Sequence, residues 1–289
     1  MNIIQKYDIK ECLIKYCERY DSQNKAARTL KGVSAATISQ IINNNWELIT
    51  DSMWRNIASQ IGYNDSKWNA VETNDYKRLF GLFKDAKENS LVLSIIGDAG
   101  TGKTFAAKKF VTQTKQSYLL CCNEYWNRKL FLSELLTQMG CDYSGYTVGE
   151  MMQEVVRSLK MQDNAILILD EADKLSDQVL YFFITLYNEL EDECGIVLLA
   201  TDHLEKALSK GLKNNKKGYK EIWSRIGRKC IQLNGVSTSD IVAICEANCI
   251  NDSKIIDKII TESDADLRRV KRLVHAYLHF NKTEIHSIN

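Results

Sequence analysis

The chain has 289 residues, enough for one domain of ordinary size plus one or two small modules, and its 45% hydrophobic and 26% charged residues describe a globular protein rather than a disordered one. No apolar run approaches a membrane span and the start, Met1 to Lys6, lacks a secretory apolar segment, so no membrane role and a cytoplasmic location are expected. Net charge is only +1, so the whole molecule does not advertise a polyanionic partner, and nine cysteines with no C-x-x-C spacing read as reduced core residues rather than zinc ligands.

Residues 1–63 carry the periodicity of a small helical bundle. Gln23 to Leu30 reads as a short helix and Lys31-Gly32-Val33 as a turn. Ser34 then caps a second helix that turns Ile38, Ile41 and Ile42 inward. This is the helix-turn-helix pattern, with Thr37, Ser39, Gln40 and Asn43 as short polar side chains suited to phosphates and base edges. The turn glycine arrives one residue late, which leaves the docking frame open, and a bundle used for protein contacts is the alternative. Residues 64–75 are polar and weakly periodic and read as a linker.

From 76 to 235 apolar runs alternate with helical patterns. A helix from Tyr76 to Asn89 precedes strands at 91–96, Ser117–Cys122, Ala165–Asp170, Gly195–Ala200 and Lys229–Leu233, with helical segments between them. That alternation predicts an α/β fold with a parallel five-stranded sheet. Gly97-Asp98-Ala99-Gly100-Thr101-Gly102-Lys103-Thr104 lies between the first strand and a helix over 105–112, and it fits the phosphate-loop pattern G-x4-G-K-[ST]. Its glycines let successive N–H groups face one concavity at a helix N-terminus. Lys103 is placed to reach the β- and γ-phosphates, and the Thr104 hydroxyl to ligate Mg2+. The third strand ends in Asp170-Glu171-Ala172-Asp173. There Asp170 is the expected second Mg2+ ligand and Glu171 the base that deprotonates an attacking water. Together the two motifs predict binding and hydrolysis of ATP.

Three further features follow in order. Thr201 follows the fourth strand, Ser224-Arg225-Ile226-Gly227-Arg228 precedes the fifth, and Asp266-Leu267-Arg268-Arg269 opens a helix in the all-helical stretch 236–289. Their order after the two nucleotide motifs resembles the AAA+ ATPases. The resemblance implies a P-loop AAA+ core over 76–235 and a helical lid over 236–289. It also implies that Thr201 orients the attacking water, that Arg225 (or Arg228) acts as a finger on a neighbouring subunit's ATP, and that Arg268 reaches the γ-phosphate of its own chain. With the N-terminal pattern added, the chain resembles the target-DNA ATPases of transposition, although Thr201 stands where that group can have asparagine. Such a resemblance implies ATP-dependent helical filaments on double-stranded DNA with little sequence preference. It further implies recruitment and activation of a transposase, with hydrolysis dismantling the filament. A replication helicase loader and a nucleotide-switched transcriptional regulator remain open as other classes.

A groove for DNA needs cations. Tyr125, Trp126, Arg128 and Lys129 follow the second strand, in the region that faces the channel of such assemblies, and Arg157 and Lys160 are the other candidates. The lysines at 206, 210, 213, 216, 217 and 220 are denser, but among glycine and asparagine they read as a solvated, flexible loop. His275 and His279 share a helix face without a third ligand, so no metal role is expected of them.

Overall fold

The computed structural model of the protein describes residue 1, residues 3–63 and residues 68–286, and the side chains of these except residues 4 and 279–286. His279 therefore lies outside the described side chains, and residues 64–67 of the expected linker lie outside the described backbone. The centre is one parallel sheet of β1 (Val92–Ile96), β2 (Ser117–Cys121), β3 (Ala165–Asp170), β4 (Cys194–Ala200) and β5 (Ile231–Gln232), in the order β2-β3-β4-β1-β5. Every residue of β3 and β4 is buried. Their apolar runs show no polar alternation because helices cover both faces. The pleat still sorts them. Ile166 and Ile168 face a layer with Leu79, Phe83 and Phe110, while Leu167 and Leu169 face a layer with Leu132, Leu135 and Leu186.

The first layer is α5 (Asn74–Glu88) and α6 (Lys103–Gln113). Gly195 of β4 lets α5 close on the sheet, since a Cβ there would lie 2.3 Å from the Ala86 carbonyl oxygen. The second layer contains α7 (Arg128–Gln138), α8 (Val148–Lys160), α9 (Asp177–Leu190), α10 (Asp202–Lys213) and α11 (Tyr219–Arg225). The lysine-rich stretch expected to be a flexible loop is thus α10, a tight turn and α11. Its order has a packing cause: Gly211 receives the Tyr219 ring so closely that a Cβ would stand 2.1 Å from it, and the Tyr219 hydroxyl donates to Asp177 at 2.6 Å.

Ahead of the sheet, α1 (Ile3–Cys17), α2 (Gln23–Arg28), α3 (Ala35–Ile42) and α4 (Asp51–Ile61) enclose Ile9, Leu13, Ile38, Ile41, Trp54 and Ile57. The side chains of Ser22, Ser34 and Thr50 cap α2, α3 and α4. After the sheet, α12 (Thr238–Ala247), α13 (Ser253–Ser263) and α14 (Leu267–His286) pack around Ile241, Ile244, Ile259, Val270 and Val274. The described part of the expected linker is not an unattached tether. Trp68 and Val71 join the C-terminal helical core. The Asn69 N–H donates to Asn248 Oδ1 at 3.0 Å, and Asn248 Nδ2 returns a bond to the Asn69 carbonyl at 2.9 Å. Among the described residues no helix is long and apolar enough to cross a membrane.

Candidate nucleotide site

The phosphate-loop sequence runs from the carboxyl end of β1 into α6, where a parallel sheet opens its ligand crevice. Gly100 and Gly102 adopt left-handed φ of +85° and +93°, which a side chain would resist. The Lys103 ammonium folds back over the loop and donates to the carbonyls of Gly97 at 2.6 Å and Asp98 at 2.8 Å. Burial pulls its pKa down from the usual lysine value, with Asp170, Asp173 and Asp98 opposing. Asp98, Ala99 and Thr101 complete the loop, and the Thr101 hydroxyl donates to the Asp98 carbonyl at 2.9 Å.

Asp170 ends β3 with its side chain buried. It accepts hydrogen bonds from the Thr104 hydroxyl and, at 3.0 Å, from the Glu171 N–H. Burial nevertheless outweighs these bonds and pushes its carboxyl above the usual range. A desolvated carboxylate beside a hydroxyl is the hard oxygen pair Mg2+ prefers, so the residues fit that ion. Among the described residues no group of three or more His, Cys, Asp or Glu could hold a metal. An ion here would complete its shell with phosphate and water oxygens.

Glu171 takes a left-handed backbone (φ 55°) and its carboxylate pairs with Lys174 at 2.7 Å. The Thr201 hydroxyl donates to Asp173 at 2.6 Å while capping α10. These groups line one cavity of about 620 Å³. Its lining includes the loop residues Ala99 to Thr104 with Asp170, Glu171 and Thr201. Trp68, Val71, Ile244 and Leu267, all packed in the C-terminal helical core, form its apolar end, and Tyr76 also lines it. Arg268 and Lys271 reach it from α14, and Lys271 lies 5.4 Å over the Trp68 ring. The Leu267 N–H donates to the Gly100 carbonyl at 3.0 Å, and a Cβ on Gly100 would stand 2.3 Å from the Asp266 carboxylate. The sequence reading missed Trp68, Val71, Tyr76, Ile244 and Lys271. The signal available was a tryptophan and a valine at 68 and 71 in an otherwise polar stretch just before the first core helix.

The remaining candidates scatter. Arg225 is outside its own chain's cavity, held by Asn188 Oδ1 at 2.7 Å and by Glu221 at 3.6 Å, above the Tyr187 ring. Arg228 is exposed. Tyr125 is 74% exposed, but its neighbour Trp126 is 7% exposed and packs edge-on against Phe131, so it offers no face to a base. Arg128 covers the Phe182 ring, and Lys129 points to solvent. Arg157 is matched by Glu154 through bonds of 2.7 to 3.0 Å, which neutralises it, while Lys160 is exposed. Arg128 follows the carboxyl end of β2, whereas Arg157 and Lys160 precede the amino end of the neighbouring β3. The two sets therefore stand at opposite ends of the strands and do not form one stripe. On α3, Thr37 bonds Ser34 at 2.9 Å, Asn43 bonds Ser39 at 3.3 Å, and Gln40 is half-buried.

Comparison with known proteins gives the same frame. Residues 86–208 match the family model described as an AAA domain. The chain is 23% identical to the ATP-dependent target DNA activator B of Escherichia phage Mu over 257 residues, covering 86% of this chain and 80% of that protein. It is 23% identical to the activator B of Escherichia phage D108 over 251 residues, 84% and 78% of the two chains. Among solved structures, the Aeropyrum pernix ORC1 protein, determined in complex with DNA, shares the fold with a TM-score of 0.52 at 17% identity. That match covers 71% of this chain and 59% of that one. The chain carries an AAA domain on a P-loop α/β fold, and over most of its length it resembles the target DNA activator B proteins of these two phages.

Proposed function

We propose that the protein is an Mg2+-dependent ATPase that assembles on duplex DNA with little sequence preference, recruits and activates a transposase, and leaves the DNA on hydrolysis. The observation that carries this reading is a similarity to the two target DNA activators that runs well beyond the AAA domain, over 86% of the chain, in a protein whose cavity brings Lys103, Thr104, Asp170 and Glu171 together. In the same reading residues 1–63 form a helix-turn-helix module and residues 236–289 a lid.

The chemistry follows from the side chains. Lys103 exchanges its two loop carbonyls for phosphate oxygens of ATP. Thr104 and Asp170 would hold Mg2+, which when bound would neutralise phosphate charge. Glu171 orients the attacking water and takes its proton, for which it must release Lys174. Thr201 steadies that water from the N-cap of α10. Arg268, carried by the helix whose first N–H is bonded to Gly100, closes the cavity from the same chain. Arg225 serves the ATP of an adjacent copy.

Two substitutions separate binding from hydrolysis. Lys103→Ala should lose ATP binding and, with it, ATP-dependent binding to random-sequence duplexes. Glu171→Gln should bind ATP, stall hydrolysis and hold DNA longer than the wild type. Wild-type turnover in Glu171→Gln would remove the general base from this account. Tight binding to a single operator regardless of nucleotide would instead identify a transcriptional switch, and binding to a helicase ring without DNA a loader.

A further inference from the structure

The stretch from Lys206 to Lys220 holds six lysines and no acidic residue, in a protein whose net charge is +1. It is built on an ordered frame. Leu204, Leu208 and Gly211 are buried along one face of α10, which leaves Lys206, Lys210 and Lys213 on the other at helical spacing. Two of the six lysines have carboxylate partners: Lys206 with Asp202 and Lys216 with Asp177. Among the described residues Lys210, Lys213, Lys217 and Lys220 are exposed and have no carboxylate partner.

Helix electrostatics explain only part of this. Lys210 and Lys213 lie in the last turn of α10, where a cation complements the carbonyl end of the helix. Lys217 lies beyond that helix, and Lys220 is in the first turn of α11, where the exposed N–H groups disfavour a cation. A charge that the fold itself does not reward points to an anionic partner. Phosphates on a duplex backbone reward such a cluster through counterion release, without any demand on base sequence. The other cations considered for this task are dispersed: Arg157 is neutralised by Glu154 and stands at the opposite end of the strands from Arg128.

One end of the cluster is tied to the cavity and the other to the segment next to it. α10 starts at Thr201, whose hydroxyl holds Asp173, and the turn before α11 is fastened to the start of α9 by Lys216 and Tyr219 on Asp177. The segment between Asp173 and Asp177 is the same one that carries Lys174, the partner of Glu171.

We propose that the α10–α11 hairpin is the principal duplex-DNA contact, with Lys210, Lys213, Lys217 and Lys220 neutralising backbone phosphates, and that its attachments at Thr201 and Asp177 let bound DNA stimulate ATP turnover. This rests on the DNA-binding reading above and adds where the contact lies.

The test is a full-length variant in which these four lysines are alanine. Binding to a random-sequence duplex is measured with a non-hydrolysable ATP analogue across a salt series, and ATP turnover with and without DNA. The slope of log affinity against log salt should fall by about three to four, at ~0.9 per lost phosphate contact, with ~100-fold or greater loss of affinity at moderate salt. DNA stimulation of turnover should vanish, while analogue binding stays at the wild-type value and the thermal midpoint falls by only a few degrees, for the lost helix-end cations of α10. The double variant Lys217→Ala/Lys220→Ala, which leaves α10 intact, should lower the slope by about two. A quadruple variant with wild-type affinity and slope would overturn the hairpin as the contact and leave the DNA-binding reading standing. A wild-type protein with no ATP-dependent duplex binding would overturn both.

Discussion

Asp170 holds a carboxylate in a place the bare fold does not favour. Its pKa is raised by burial, so the unfolded chain releases this proton at lower pH than the native one does. Native stability therefore falls as pH rises from the ordinary carboxylate range through the raised native value, and it stays reduced above that. Asp170→Asn should raise the urea midpoint at pH 7 in the absence of Mg2+ and nucleotide, with little gain at a pH below the ordinary carboxylate pKa, and should abolish turnover. An equal gain at both pH values would detach the stabilisation from ionisation. Neighbouring residues also show how context divides like from like. Tyr125 and Trp126 are adjacent aromatics in one turn, yet the first is exposed and the second is packed against Phe131 five residues on. Nothing local in the sequence separates them.

At the scale of elements, the legible features were those written in contiguous residues. Five apolar runs gave five parallel strands, and the glycines of the loop announced the turn between β1 and α6 because both depend on nearest neighbours along the chain. The less legible features depend on partners far away. Trp68 and Val71 read as stray apolar residues because the core they join lies beyond residue 240. The lysine-rich run read as flexible because its order comes from the Tyr219 ring seated on Gly211. Trp68 lines the apolar end of the cavity and carries Lys271 over its ring. Removing a large aromatic contact and a cation–π pair should cost about 1.4 kcal/mol, so Trp68→Ala should weaken ATP binding about tenfold with the hydrolytic step per bound ATP little changed. Unaltered affinity by equilibrium titration would exclude Trp68 from contact with the nucleotide.

At the scale of the whole molecule, Arg225 does not line its own cavity and is held on α9 by Asn188. If it completes the site of a neighbour, Arg225→Ala should lower turnover by about 10^3, and wild-type turnover per molecule should rise with protein concentration. Mixing Arg225→Ala with Lys103→Ala protein should restore activity only at junctions where an intact Lys103 meets an intact Arg225. Undiminished, concentration-independent turnover by Arg225→Ala would pass the role to Arg228.

The clasp between Asn69 and Asn248 joins positions 179 residues apart, and Leu267 bonds back to Gly100 across a comparable stretch of chain. During synthesis the strands, which end at Gln232, leave the ribosome before α12 and α14, so the apolar end of the cavity, which needs Ile244 and Leu267, is the later part to form. The cavity is therefore complete only once α12 and α14 have docked beside the sheet.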